Sequence, residues 1–118
     1  MIEEYVATEE HRMPPTHPGA VLREEVLPEM NISVSEFARR IGVSRQILHR
    51  ILAETQGITP EMALRIGRFL GNGPGLWIRL QEEFDLWQSE QRLRDVLDAI
   101  KPFSRPAGES IPGESVQD

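Results

Sequence analysis

Arg45, Gln46, His49 and Arg50 stand within the stretch SRQILHRIL, separated by steps of one, three and one. At about 100° per residue on a helix they share one arc, while Ile47, Leu48, Ile51 and Leu52 fall on the other side. Arginine offers a planar fork of donors, and glutamine a donor beside an acceptor. These forks match the paired hydrogen-bonding groups that guanine and adenine expose in the major groove of B-DNA. Ser44, just ahead, is a helix-capping residue, and the backbone N–H groups that follow it suit a phosphate. The chemistry is that of a face that reads bases with side chains and takes its position from phosphates.

The charge distribution sharpens the reading. The whole 118-residue chain carries a formal net charge of -6. Residues 1–29 hold seven acids and two arginines, a net -5, whereas residues 30–52 hold four arginines and one acid, a net +3. The remaining residues are acidic again. An acidic protein with one basic island presents a local field to a polyanion, and net acidity does not oppose that.

Positioning such a face requires a helix with a second helix packed behind it. Ser33 and Glu36 form the S-x-x-E pattern of a capping box, and Val34, Phe37, Ala38 and Ile41 gather on one side of the helix it starts. Gly42 supplies a left-handed turn at its end, Val43 follows, and Ser44 caps the next helix. Ala38 is small enough for the two helices to cross closely. The pattern predicts a helix-turn-helix unit, with Ser35, Glu36, Arg39 and Arg40 on the outer side of its first helix.

Other helices flank this unit. His17 or Thr16 caps a helix that begins at Pro18, carries Leu22 and Val26, and is expected to close at Pro28. Thr59, Pro60 and Glu61 start another, with Met62, Ile66, Phe69 and Leu70 on one face before Gly71. Pro74 opens the last and longest, on which Trp77, Leu80, Phe84 and Trp87 recur at helical steps and Leu86, Leu93, Leu97 and Ile100 continue the apolar pattern. No stretch alternates with a strand period over a useful length. The expected fold is all-α: a five-helix bundle with a long C-terminal helix.

The ends differ from the middle. In residues 1–13, Ile2, Tyr5 and Val6 are surrounded by acids and cut off by Pro14 and Pro15, which predicts a flexible N-terminal arm. Residues 102–118, with eight Pro, Gly or Ser among seventeen, are expected to form a disordered tail. The domain itself is expected over residues 14–101. There is no cysteine, hence neither a disulfide framework nor a thiolate metal site. No apolar run has the length of a membrane span and the N-terminus is acidic, so a soluble, cytoplasmic protein without membrane association is expected.

With these residues in view, the run from Arg12 to Trp87 resembles the HigA antitoxins of the XRE-type, phage-repressor-like helix-turn-helix family. The likeness lies in RMPPTHPGAVLREEVLP, SVSEFARRIGVSRQILHRIL, GITPEMALRIGRFLG and LWIRLQEEFDLW. It covers about two thirds of the chain, and THPG, GITPEMALR and the tryptophan-rich ending distinguish it from phage-type repressors in general. The resemblance implies a lambda-repressor-like domain that forms a homodimer, binds operator DNA, represses its own toxin–antitoxin operon and neutralises a HigB/RelE-like mRNA endoribonuclease. By position it assigns DNA contact to Ser44, Arg45, Gln46 and Arg50, with His49 at the edge and Arg39 reaching the backbone from the second helix. Two departures stand out. Relatives often carry a basic loop after the third helix where this chain has AETQG, and the usual acid after the first-helix glycine is Ala20 here.

Two more surfaces are expected, the first from the residues and the second from the resemblance. Leu86, Trp87, Leu93, Leu97 and Ile100 exceed what a small bundle buries, which predicts a dimer interface. RelE-like nucleases act on RNA and are basic, so the acidic first helix, with Glu24 and Glu25, is the expected toxin-binding surface. Catalysis is not expected: the histidines are His11, His17 and His49, and no H-E-x-x-H, P-loop or dinucleotide fingerprint is present. Neither cofactor nor metal is implied. The alternatives are a solitary XRE-type transcriptional repressor without a toxin, and a protein-binding module that has lost DNA binding.

Overall fold

A computed structural model describes residues 14–104. The expected arm at residues 1–13 and the tail from residue 105 lie outside the described residues. The described chain is helical, with no strand among the described residues.

The first helical body begins with α1 (Pro18–Val21), for which Nδ1 of His17 accepts a 2.8 Å hydrogen bond from the Gly19 N–H. It widens into a π-helical segment (Leu22–Val26) and continues as α2 (Leu27–Met30), ending where Asn31 adopts a left-handed conformation with φ 57°. Pro28 does not close the helix, contrary to the sequence expectation. Proline clashes with the carbonyl four residues back and has no N–H to donate; the wide turn immediately upstream accommodates both. The Leu27 N–H bonds instead to the Leu22 carbonyl, five residues back.

The helix-turn-helix forms as the sequence implies. In α3 (Val34–Ile41), Ser33 Oγ accepts from the Glu36 N–H at 3.0 Å. Gly42 ends the helix at φ 76°, and the N–H groups of Gly42 and Val43 both return to the Ala38 carbonyl. Ser44 Oγ then caps α4 (Arg45–Leu52), accepting from the Ile47 N–H at 3.0 Å. Thr59 caps α5 (Pro60–Leu70) in the same manner through the Met62 N–H, and Gly71 ends it in the left-handed region.

The expected long C-terminal helix is broken. It runs as α6 (Gly75–Arg92), pauses at Leu93, whose φ and ψ are -101° and 14°, and resumes as the short α7 (Arg94–Ala99). Against five expected helical bodies, there are six among the described residues.

The core lies among α3, α4, α5 and the start of α6. Phe37, Ala38 and Ile41 meet Leu48, Ile51 and Leu52, and Met62, Ala63, Ile66 and Trp77 close the far side. Leu22 of the first body fills the remaining corner, fully buried. Burying each large aliphatic or aromatic side chain contributes roughly 1.5–3 kcal/mol, so this cluster orients α4 from behind. A polar tie completes the frame: Gln81 of α6 accepts from the Ile58 N–H at 2.7 Å and fixes the loop that leads into α5.

Candidate nucleic-acid interface

The inner side of α4 is buried through Leu48, Ile51 and Leu52, so the opposite side must face solvent. Arg45, Gln46, His49 and Arg50 all lie there, exposed, with Ser44 at the start of the helix. The structure thus brings the sequence-derived set onto one surface. The first turn of α4 contains no acid.

Two of the arginines have partners. Arg45 Nη1 approaches Ser35 Oγ at 3.3 Å, a long contact between exposed groups that leaves its fork open to solvent. Arg50 is held more firmly, with Nε donating to Gln56 Oε1 at 2.9 Å. Thr55 also bonds back to the Arg50 carbonyl through both its N–H and its hydroxyl.

Arg39 is exposed on α3 but engaged along its own helix. It donates to both carboxylate oxygens of Glu36, which also takes Arg40 Nε at 2.8 Å. The two arginines, Arg39 foremost, hold the Glu36 carboxyl below its ordinary value. Only half of the expected capping box therefore forms: Ser33 caps, while the Glu36 side chain turns to the arginines. An Arg39 that contacts a phosphate must share its fork with Glu36.

The turn itself is pinned by a residue the sequence reading did not single out. Arg65 Nη1 donates to the Ile41 carbonyl at 2.9 Å and the Gly42 carbonyl at 3.3 Å, while its Nε and Nη2 hold Glu61 Oε2. The unpaired carbonyls at the end of α3 thus find a cation fixed by an acid one turn away. The Glu61–Arg65 spacing of four was the available signal. At the other end of α4, Arg23 donates to the Leu52 carbonyl and pairs with Glu54 at 3.1 Å. Glu54 adopts φ 65°, a conformation uncommon for a residue with a side chain.

The other predicted surfaces are also placed. Leu86 and Ile100 are each 62% exposed and Leu97 44%, with Val96 beside them at 55%. Trp87 and Leu93 are half-buried. The single chain therefore leaves an apolar C-terminal surface largely uncovered. Glu24 and Glu25 are exposed on the first helical body, and Glu24 pairs with Arg23 at 2.8 Å. Among the described residues there is no cluster of acids and histidines able to hold a metal, and no helix long and apolar enough to cross a membrane.

Comparison with known proteins bears on the same elements. A family described as helix-turn-helix matches residues 22–77, from the first helical body to the first turn of α6. Virulence-associated protein I of Dichelobacter nodosus is 36% identical over 82% of this chain and 89% of its own length. Among solved structures, the Pseudomonas aeruginosa antitoxin HigA with the higBA promoter superposes with a TM-score of 0.73 at 34% identity, covering 76% of this chain and 99% of that one. The antitoxin GraA in complex with its operator gives a TM-score of 0.72 at 37% identity, covering 79% and 95%.

Proposed function

The chain belongs to the HigA-like XRE-type helix-turn-helix family, and on that premise we propose that it is an operator-binding antitoxin. In this reading two copies dimerise through the exposed C-terminal apolar surface and present paired α4 helices to successive major grooves. The site is palindromic, with half-sites about one helical turn, ~34 Å, apart. Binding represses the protein's own operon in the cytoplasm. A surface away from α4 neutralises a basic, RelE-like mRNA endoribonuclease, and the antitoxin itself contributes no catalysis.

The observation that carries the DNA-reading part is the outer face of α4. Arg45, Gln46 and Arg50 are exposed together on a helix capped by Ser44, and relatives of the same fold and 34–37% identity were solved with promoter or operator DNA. Ser44 and the first N–H groups of α4 take the phosphate that sets the register, and the forks of Arg45 and Arg50 read guanine.

Fluorescence anisotropy with the duplex upstream of the gene, against a scrambled duplex and across a salt series, tests the reading. The expected result is specific, salt-dependent binding in which Arg45→Ala and Arg50→Ala each lose about 1–3 kcal/mol and relax base preference. Unchanged affinity and preference in both variants would remove the assignment of this face.

A further inference from the structure

The loop after α4, AETQG, carries no positive charge, yet it is tied to the reading helix at two points. Glu54, held by Arg23, turns the backbone through the left-handed region immediately after α4. The chain then doubles back. Thr55 bonds to the Arg50 carbonyl, and Gln56 Oε1 accepts from Arg50 Nε at 2.9 Å. Gln56 is half-buried and lines a cavity of about 380 Å³ together with Ser44, Ile47, Thr59 and Met62. One wall of that cavity is the first turn of α4.

We propose that Gln56 is a positioning residue for base reading: it fixes the guanidinium of Arg50 and thereby sets the stringency at one base pair of the site. The inference rests on the DNA-reading assignment above. An arginine on an open helix face samples many rotamers, and a two-pronged contact discriminates only when the fork arrives in one orientation. With Nε engaged by Gln56, the Nη1 and Nη2 ends remain to meet O6 and N7 of a guanine. The amide oxygen accepts without neutralising the cation, so attraction to the phosphates is retained. Glutamate at this position would orient the fork equally but place a negative charge beside the DNA.

The test uses the full chain and its operator, with each half-site base pair replaced in turn and affinities measured by competition anisotropy. Gln56→Met keeps the length and packing of the side chain but lacks the amide oxygen that accepts from Nε, leaving only a weakly accepting sulfur. It is expected to lower discrimination by about tenfold at the base pair whose preference Arg50→Ala abolishes, leave the pair read by Arg45 unchanged, and add nothing to Arg50→Ala. Gln56→Glu is expected to retain the base preference while binding all duplexes more weakly, most visibly at low salt. A purely structural role would lower affinity evenly across the panel, and that result would overturn the proposal. So would an undiminished preference in Gln56→Met, or an equal loss in the Arg50→Ala background, which would make Gln56 an independent contact. An Arg50→Ala panel identical to that of the unaltered protein would instead overturn the assignment of Arg50 on which the proposal stands.

Discussion

The backbone of Gly19 lies directly against the carbonyl of Ile51: a Cβ at position 19 would stand 1.8 Å from that oxygen. The first helical body therefore meets the last turn of α4 with no side chain between them. Four residues further along the same body, Arg23 takes the neighbouring Leu52 carbonyl. These contacts, with Arg65 at the other end, set where α4 sits relative to the rest of the fold.

Gly19→Ala is accordingly expected to be severely destabilising. The added methyl meets backbone, which cannot rotate away, and α1 must separate from α4 by more than an ångström. A loss of about 3 kcal/mol or more is expected, read as a fall in melting temperature exceeding about 10 °C by circular dichroism. A melting temperature unchanged within about 2 °C would show that the two helices do not meet this closely.

His17 adds a pH dependence. Its buried ring accepts the Gly19 N–H through Nδ1 and packs edge-on to Phe84 at 4.8 Å between centroids. Burial pushes its pKa down; Glu54 and Asp85 partly oppose this, and Arg23 reinforces it. The folded state therefore favours neutral His17. Its contribution is fully present above the unfolded value of about 6.5 and is lost as pH falls through the lower folded value. His17→Asn retains an oxygen that can cap but does not titrate. Its melting temperature is expected to fall less steeply between pH 7 and pH 5 than that of the unaltered chain, and equal slopes would exclude His17 as the source.

The parts of this architecture that sequence made legible are those decided within one turn of chain. Ser33, Ser44 and Thr59 cap as their types and positions imply, Gly42 and Gly71 take the left-handed turn, and the outward arc of α4 follows from the period of its apolar residues. Misreadings arose where two local rules compete. Pro28 ordinarily ends a helix, but the π-helical turn upstream relieves it. Glu36 fits a capping box, but Arg39 and Arg40 on the same face draw its carboxylate away. Nothing in the residues around Leu93 marks the break there, since it is neither Gly nor Pro. The ties from Arg65 to Ile41 and from Arg23 to Leu52 cross 24 and 29 residues, a separation at which no local pattern operates.

Removing the residues after Ser89 tests the assembly. The deletion takes away Leu93, Val96, Leu97 and Ile100 but leaves Trp77 and the core behind it, so the remaining domain is expected to fold. Apolar side chains this exposed on one chain favour a covered state, and their loss is expected to yield a monomer at low micromolar concentration by light scattering, with weaker operator binding. A truncated chain that stays dimeric would place the interface elsewhere.

The acidic face of the first helical body is expected to grip the toxin, and the ion pairs there determine which variant tests this cleanly. Glu24 pairs with Arg23, which in turn holds the Leu52 carbonyl and Glu54, so reversing Glu24 also disturbs the end of α4. Glu25 is likewise exposed but lacks that link to Arg23. Glu25→Lys is therefore expected to weaken binding to a basic toxin by about fivefold at low salt, less at high salt, with operator affinity retained. Glu24→Lys is expected to weaken both. Arg45→Ala and Arg50→Ala are expected to do the converse, losing repression while still rescuing cells from the toxin, because Arg45 and Arg50 are exposed on α4 whereas Glu24 and Glu25 are exposed on the first helical body. Toxin affinity that survives Glu25→Lys, the Glu24→Lys/Glu25→Lys double variant and deletion of residues 1–12 would move the contact to α5 or α6.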